Sequence, residues 1–232
     1  MTMADRGNLL TRHTTAGAQR VPYRLVIFDF DGTLADSFPW FAATLNDVAA
    51  RWRFKSVATD EEELLRGMSA REIMVHLGVP AWKAPLVAAD MRRRMSAEIH
   101  HIRRFDGADR MLSHLHAAGI TLGLATSNRA DNVRRVLGAR NLRLFRYLET
   151  GATIHGKAAR LGRVLRRAGA PAARALYIGD EIRDIEAAHA AGIQVGCVAW
   201  GYNRLEALRA AGPDLVFERM DEICKRLVGV GH

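Results

Sequence analysis

Residues 25–33 read Leu-Val-Ile-Phe-Asp-Phe-Asp-Gly-Thr, an apolar run that stops at two carboxylates one residue apart. β-Branched and aromatic residues without polar interruption suit a strand at the buried centre of a parallel sheet. Alternation along a strand points Asp29 and Asp31 the same way, with Phe30 opposed. In open α/β sheets, ligands bind beyond the carboxyl ends of the strands, which is where these acids emerge. Two acids so placed repel one another unless a cation or a shared proton intervenes. Gly32 allows a backbone conformation closed to other residues, and Thr33 adds a hydroxyl. Taken alone, the segment also reads as a strand followed by a plain Asp-Gly turn.

Outward from this strand the pattern divides. Residues 37–104 carry no strand signature, and helices are expected at 38–54, 60–66, 69–78 and 80–102. Thr59 followed by four acids marks one helix start, and Gly67 and Gly78-Val79-Pro80 mark breaks. From Phe105 onward, helix and strand alternate. Helices are expected at 107–118, 129–138, 156–169, 182–191, 203–211 and 219–228. Strands are expected at 120–126, 144–149, 175–178, 194–199 and 214–217. Repeated β–α units with right-handed crossovers predict an α/β fold with a doubly wound, Rossmann-like parallel sheet. The core is then residues 21–36 and 105–232, and residues 37–104 form an inserted α-helical cap above the carboxyl edge. Residues 1–20 are polar, carry Arg6, Arg12 and Arg20, and read as a disordered leader without the apolar centre of a secretory signal.

Composition narrows the function classes. With 49% hydrophobic residues the chain of 232 can build a substantial core, and no apolar stretch is long enough to span a membrane. Cys197 and Cys224 are the only cysteines, too few for a disulfide framework or a cysteine-based zinc site, and a cytoplasmic location is expected. The net charge of +9 comes from arginine, since only four of the 34 basic residues are Lys. These arginines are scattered, with no basic run interleaved with aromatics, so nucleic acid is not the expected partner. A basic surface instead favours a small anionic substrate.

Further polar signals fall at strand ends and helix starts. Thr126-Ser127-Asn128 ends one strand, where a hydroxyl and helix-opening N–H groups make either a phosphate cradle or an ordinary helix cap. Lys157 opens the 156–169 helix, as a solvated residue or as a cation facing the carboxylates. Asp180 ends a strand and Asp184 follows on the first turn of the next helix. The two can converge on one cation, or merely favour the helix dipole.

Together these signals resemble the haloacid dehalogenase superfamily of phosphohydrolases. Asp29-Phe30-Asp31-Gly32-Thr33 matches its first motif, Ser127 the second, Lys157 the third and Gly179-Asp180…Asp184 the fourth. The insert is similar in position to a helical type 1 cap, as in the branch of phosphoglycolate phosphatases and β-phosphoglucomutases. The resemblance covers residues 22–217. It implies that Asp29 is the nucleophile and forms a phospho-aspartate, with Asp31 acting as general acid and then base. It also implies Mg²⁺ held by Asp29, the backbone carbonyl of Asp31, Asp180 and Asp184. Thr33, Ser127, Asn128 and Lys157 would then bind phosphate or the general acid. An acid at Asp31 favours phosphate esters, because a halide leaving group needs no proton.

Arg66 and Arg71 flank a turn in the cap and are candidates for a substrate carboxylate or second phosphate. Hinges are expected near 36–39 and 104–107. The reading that follows is a Mg²⁺-dependent phosphatase acting on a small phosphomonoester, phosphoglycolate-like or sugar-phosphate-like, as a monomer or homodimer. The alternatives are a phosphomutase of the β-phosphoglucomutase type and a non-catalytic or receiver-type signalling domain. Tyr202-Asn203 lies near the active edge without an assigned role.

Overall fold

The computed structural model describes residues 23–151 and 156–229. The expected leader, residues 1–20, lies outside them. The first strand, β1 (Leu25–Phe28), is followed by a two-residue strand, β2 (Ala35–Asp36). Four helices come next: α1 (Phe38–Trp52), α2 (Glu62–Leu65), α3 (Ala70–His76) and α4 (Ala84–Ala97). A second short strand, β3 (Arg103–Arg104), leads back to the alternating part. There the elements are α5 (Ala108–Ala117), β4 (Thr121–Ala125), α6 (Ala130–Leu142), β5 (Phe145–Glu149), α7 (Gly156–Ala168) and β6 (Ala175–Gly179). The chain closes with α8 (Ile182–Ala190), β7 (Gln194–Val198), α9 (Leu205–Ala210), β8 (Leu215–Phe217) and α10 (Met220–Leu227).

Six strands form one parallel sheet in the order β5-β4-β1-β6-β7-β8. The direction of winding reverses beside β1, so its carboxyl end opens a crevice. Alternation along the strands fills both faces. Val26, Phe28, Leu122, Leu124, Leu176 and Ile178 pack on one side against residues of α5, α6 and α10. Leu25, Ile27, Ala175, Tyr177, Val195 and Cys197 pack on the other against α7, α8 and α9. Helices on both faces explain why the central strands β1 and β6 are apolar throughout.

Two expectations for the inserted segment need correction. The 37–104 stretch is not free of strand, because β3 pairs with β2 as an antiparallel ribbon, Ala35 opposite Arg104 and Asp36 opposite Arg103. Two residues are too few to write an alternation pattern in sequence. The ribbon lies at the junctions where hinges were expected. The fourth helix is also shorter than 80–102. It starts at Ala84 because Pro85 fits only a first turn, and it ends before a 3₁₀ turn at Ile99–His101. No helix among the described residues is long and apolar enough to cross a membrane.

Candidate active site

Past Phe28 the chain leaves the sheet through a tight loop. The Phe30 carbonyl accepts hydrogen bonds from the N–H groups of Thr33, Leu34 and Ala35. Gly32 sits at φ +73, and a Cβ there would collide with the Asp180 carboxylate. Only glycine satisfies both demands. This loop presents Asp29 and Asp31 at the carboxyl edge of the sheet, but to different partners.

Asp29 joins Asp180, at the end of β6, and Asp184, on the first turn of α8. One carboxylate oxygen from each lies within 4.8 Å of the other two, and all three residues are buried. Lys157, in the first turn of α7, donates to Asp29 Oδ2 at 2.5 Å and also to Asp184 Oδ1. Asp184 is further held by the N–H groups of Asp180 (3.0 Å) and Glu181 (2.9 Å) and by the Tyr177 hydroxyl (3.0 Å). Asp180 accepts from the Thr33 hydroxyl at 2.7 Å and from the Tyr202 N–H at 2.8 Å.

The electrostatics follow from that packing. Burial pushes Asp29 above the usual carboxylate range, against the pull of Lys157. Burial raises Asp180 further, helped by the charges of Glu181, Asp184 and Asp29. Burial also works against Asp184, but Lys157 and Arg183 outweigh it and hold that carboxyl low. With all groups ionised, three carboxylates and one ammonium leave two negative charges in excess. Oxygen-only donors with that surplus suit a hard divalent cation such as Mg²⁺.

Asp31 has other partners. Asn128 Nδ2 approaches both of its carboxylate oxygens, at 3.1 and 3.0 Å. Burial and the neighbouring Asp29 charge push its pKa up to about 7. Asp31, Ser127 and Asn128 form part of the wall of a partly open cavity of about 570 Å³ between the sheet edge and helices α1–α4.

The structure brings Asp29, Asp31, Asn128, Lys157, Asp180 and Asp184 together, with Ser127 beside them. Thr33 belongs to the cluster differently from the expectation, since its hydroxyl is committed to Asp180 and so positions that acid. Arg66 lines the cavity, yet its guanidinium donates to the carbonyls of Gly201 (3.0 Å) and Tyr202 (3.2 Å) and to Glu63 (3.0 Å). That makes it a clasp between the inserted helices and the sheet edge. Arg71 is exposed on α3 and does not line the cavity, because the Ser69 cap starts the helix so that this residue turns outward. The sequence reading placed the loop after β7 near the active edge but assigned it no role. A Cβ at Gly201 would overlap Asp180, Tyr202 holds Asp180, and Asn203 bonds Ile182 N and the carbonyls of Arg66 and Met68. Its position at the carboxyl edge was the available signal.

Carboxylates from neighbouring strand ends, bridged by a lysine and roofed by helices, define an α/β enzyme whose chemistry rests on clustered acids. The chain belongs to the haloacid dehalogenase-like hydrolase family, whose model matches residues 26–198. It is 32% identical over 199 residues to a phosphoglycolate phosphatase from Synechococcus elongatus, covering 85% of this chain and 94% of that relative. A phosphoglycolate phosphatase from Caulobacter vibrioides is 29% identical, covering 88% and 90%. Among solved structures, a haloacid dehalogenase-like family hydrolase from Streptococcus pneumoniae superposes with a TM-score of 0.72. It is 19% identical and covers 87% of this chain and 97% of its own, a likeness of fold.

Proposed function

We propose that the protein is a cytoplasmic Mg²⁺-dependent phosphatase that hydrolyses a small phosphomonoester through a phospho-aspartate on Asp29. The observation that carries this reading is the buried cluster of Asp29, Asp180 and Asp184 bridged by Lys157. The relatives' names make phosphoglycolate one compound to test, with sugar phosphates beside it.

Asp29, Asp180, Asp184 and the Asp31 carbonyl would hold the ion, with residues 37–104 as the cap over it. When bound, Mg²⁺ supplies positive charge that offsets the phosphate and carboxylate charges facing one another. Asp29 Oδ attacks phosphorus, the bond from phosphorus to the ester oxygen breaks, and Asp31 passes its proton to the departing alkoxide. The alcohol leaves, and Asp31, now a carboxylate, takes a proton from water as that water attacks the phospho-aspartate. Phosphate is released and both acids return to their starting states. Asn128 orients Asp31, while Lys157 keeps the nucleophile and the incoming dianion from repelling one another. Most of the acceleration comes from positioning and charge stabilisation, because the phosphoryl transition state is loose.

The test is phosphate release from p-nitrophenyl phosphate with Mg²⁺, abolished by EDTA and by Asp29→Asn. Activity that survives Asp29→Asn refutes the nucleophile assignment. A product isomer in place of free phosphate would make the enzyme a mutase.

A further inference from the structure

The cavity above Asp31 is larger and more apolar than a two-carbon acid requires. Its volume of about 570 Å³ falls in the range of about 300–1,000 Å³ that encloses ligands of drug size. The sheet edge contributes its polar end through residues such as Asp31, Ser127 and Asn128. The inserted helices contribute walls of Phe41, Leu45, Ile73, Met74, Val87 and Met91. Only four of the residues they place on the wall are polar: Asn46, Glu62, Arg66 and Arg92. Asn46 is satisfied by both backbone groups of Val57, and Arg66 by the contacts already described.

The helices themselves supply a second observation. No residue of α3 is fully buried, and α4 buries only Asp90. An amphipathic helix is stabilised by covering its apolar stripe. Here Val87, Ala88, Met91 and Met95 of α4 and Ile73 and Met74 of α3 line the hollow, Met91 and Met95 reaching from it to the core. The stripe reaches the chemistry at Met95, whose Sδ lies 3.2 Å from Asn128 Nδ2.

We infer that the alcohol half of the substrate is apolar, an alkyl or aryl group that fills this cavity while its phosphate lies against Asp31 and Asn128. The inference rests on the phosphatase reading and narrows its leaving group, away from the two-carbon acid of the relatives' names. A buried chain would cover the apolar residues of α3 and α4 that line the hollow, so each added methylene strengthens binding until the cavity is full.

The experiment measures kcat/KM of the full chain with Mg²⁺ for phosphoglycolate and for n-alkyl phosphates from ethyl to hexyl. A rise of about fourfold per methylene is expected, equal to about 0.8 kcal/mol per buried CH₂. Ala88→Trp, which fills the hollow from α4, brings the hexyl-to-ethyl ratio close to unity. A flat alkyl series with phosphoglycolate preferred overturns the inference and leaves the phosphatase standing. In that event Arg92, a wall residue with no side-chain partner among the described residues, becomes the carboxylate reader, and Arg92→Ala would erase the preference. No phosphate release from any ester, p-nitrophenyl phosphate included, defeats the phosphatase reading and this inference with it.

Discussion

Replacing Asp31 with Asn removes a transferable proton while keeping the shape that Asn128 grips. The wild-type carboxyl, raised to about 7 by burial and by the Asp29 charge, is about half protonated at neutral pH, the poise that suits general acid catalysis. An alkoxide leaving group depends on that proton. A p-nitrophenolate leaves without it. Asp31→Asn therefore lowers alcohol release from an alkyl phosphate by about 10²–10⁴-fold, or roughly 3–5 kcal/mol in the barrier. The first turnover of p-nitrophenyl phosphate falls by no more than about tenfold, since proton donation contributes little there. The second step then stalls, because no carboxylate remains to take the proton from water. Rapid-quench kinetics should show a burst of nitrophenol, one equivalent per active site, and intact mass should show one phosphoryl group retained on the protein. Equal losses for both esters, or a burst without retained phosphoryl, would refute the assignment of Asp31.

Three further outcomes are expected. Asp90 is buried and accepts from Trp52 Nε1 at 2.9 Å, with Arg51, Arg93 and Arg94 around it. Asp90→Asn should cost about 1–3 kcal/mol at pH 7, a Tm loss of about 2–12 °C by calorimetry. The Trp52 hydrogen bond and then the arginines hold its pKa below 3.8, against burial. The stabilisation is therefore full above that value, and wild type and variant converge as the pH falls through the lowered pKa. Gly201→Ala would force Asp180 aside and weaken Mg²⁺ binding by tenfold or more on the scale of about 10–100-fold typical for disturbed ligand supports, read by isothermal titration of the free enzyme. Asn203→Ala removes hydrogen bonds to Arg66, Met68 and Ile182. It should raise amide exchange across residues 62–70 while exchange in β1 and β6 stays unchanged, and uniform protection would refute the clasp.

Which parts of this molecule could be read from its sequence follows from how local their determinants are. The order of strands and helices after Phe105 was legible because the central strands β4, β6 and β7, buried on both faces, are mostly apolar runs closed by Gly or a polar cap, while β5, with Arg146 and Glu149, gave the weakest signal. Asp29, Asp31 and Asp180 stand where such runs stop, and Lys157 and Asp184 stand on the first turns of helices, α8 following β6 directly. The partnerships were not legible. Nothing near Thr33 announces that its hydroxyl serves Asp180, 147 positions away. Arg66 and Arg71 looked equivalent as a pair of cations on one turn. The helix that begins at Ser69 turns Arg71 to solvent, and the carbonyls of Gly201 and Tyr202 engage Arg66.

The loop after β7 shows why side-chain chemistry alone underdetermines a site. Gly201 acts by lacking a Cβ beside Asp180, and Tyr202, whose ring and hydroxyl meet Phe38, Phe41 and Ser37, reaches Asp180 and Arg66 through its backbone N–H and carbonyl. Neither role depends on a functional group that a motif search would weigh. Yet Tyr202 joins two things at one residue: its N–H fixes an acid of the cluster, and its carbonyl receives the clasp from the inserted helices. A shift of those helices away from the sheet edge must break the Arg66 contacts or drag the loop with them. In the second case the Tyr202 N–H leaves Asp180, and an acid already raised by burial and three neighbouring charges loses a hydrogen bond that favours its ionised form.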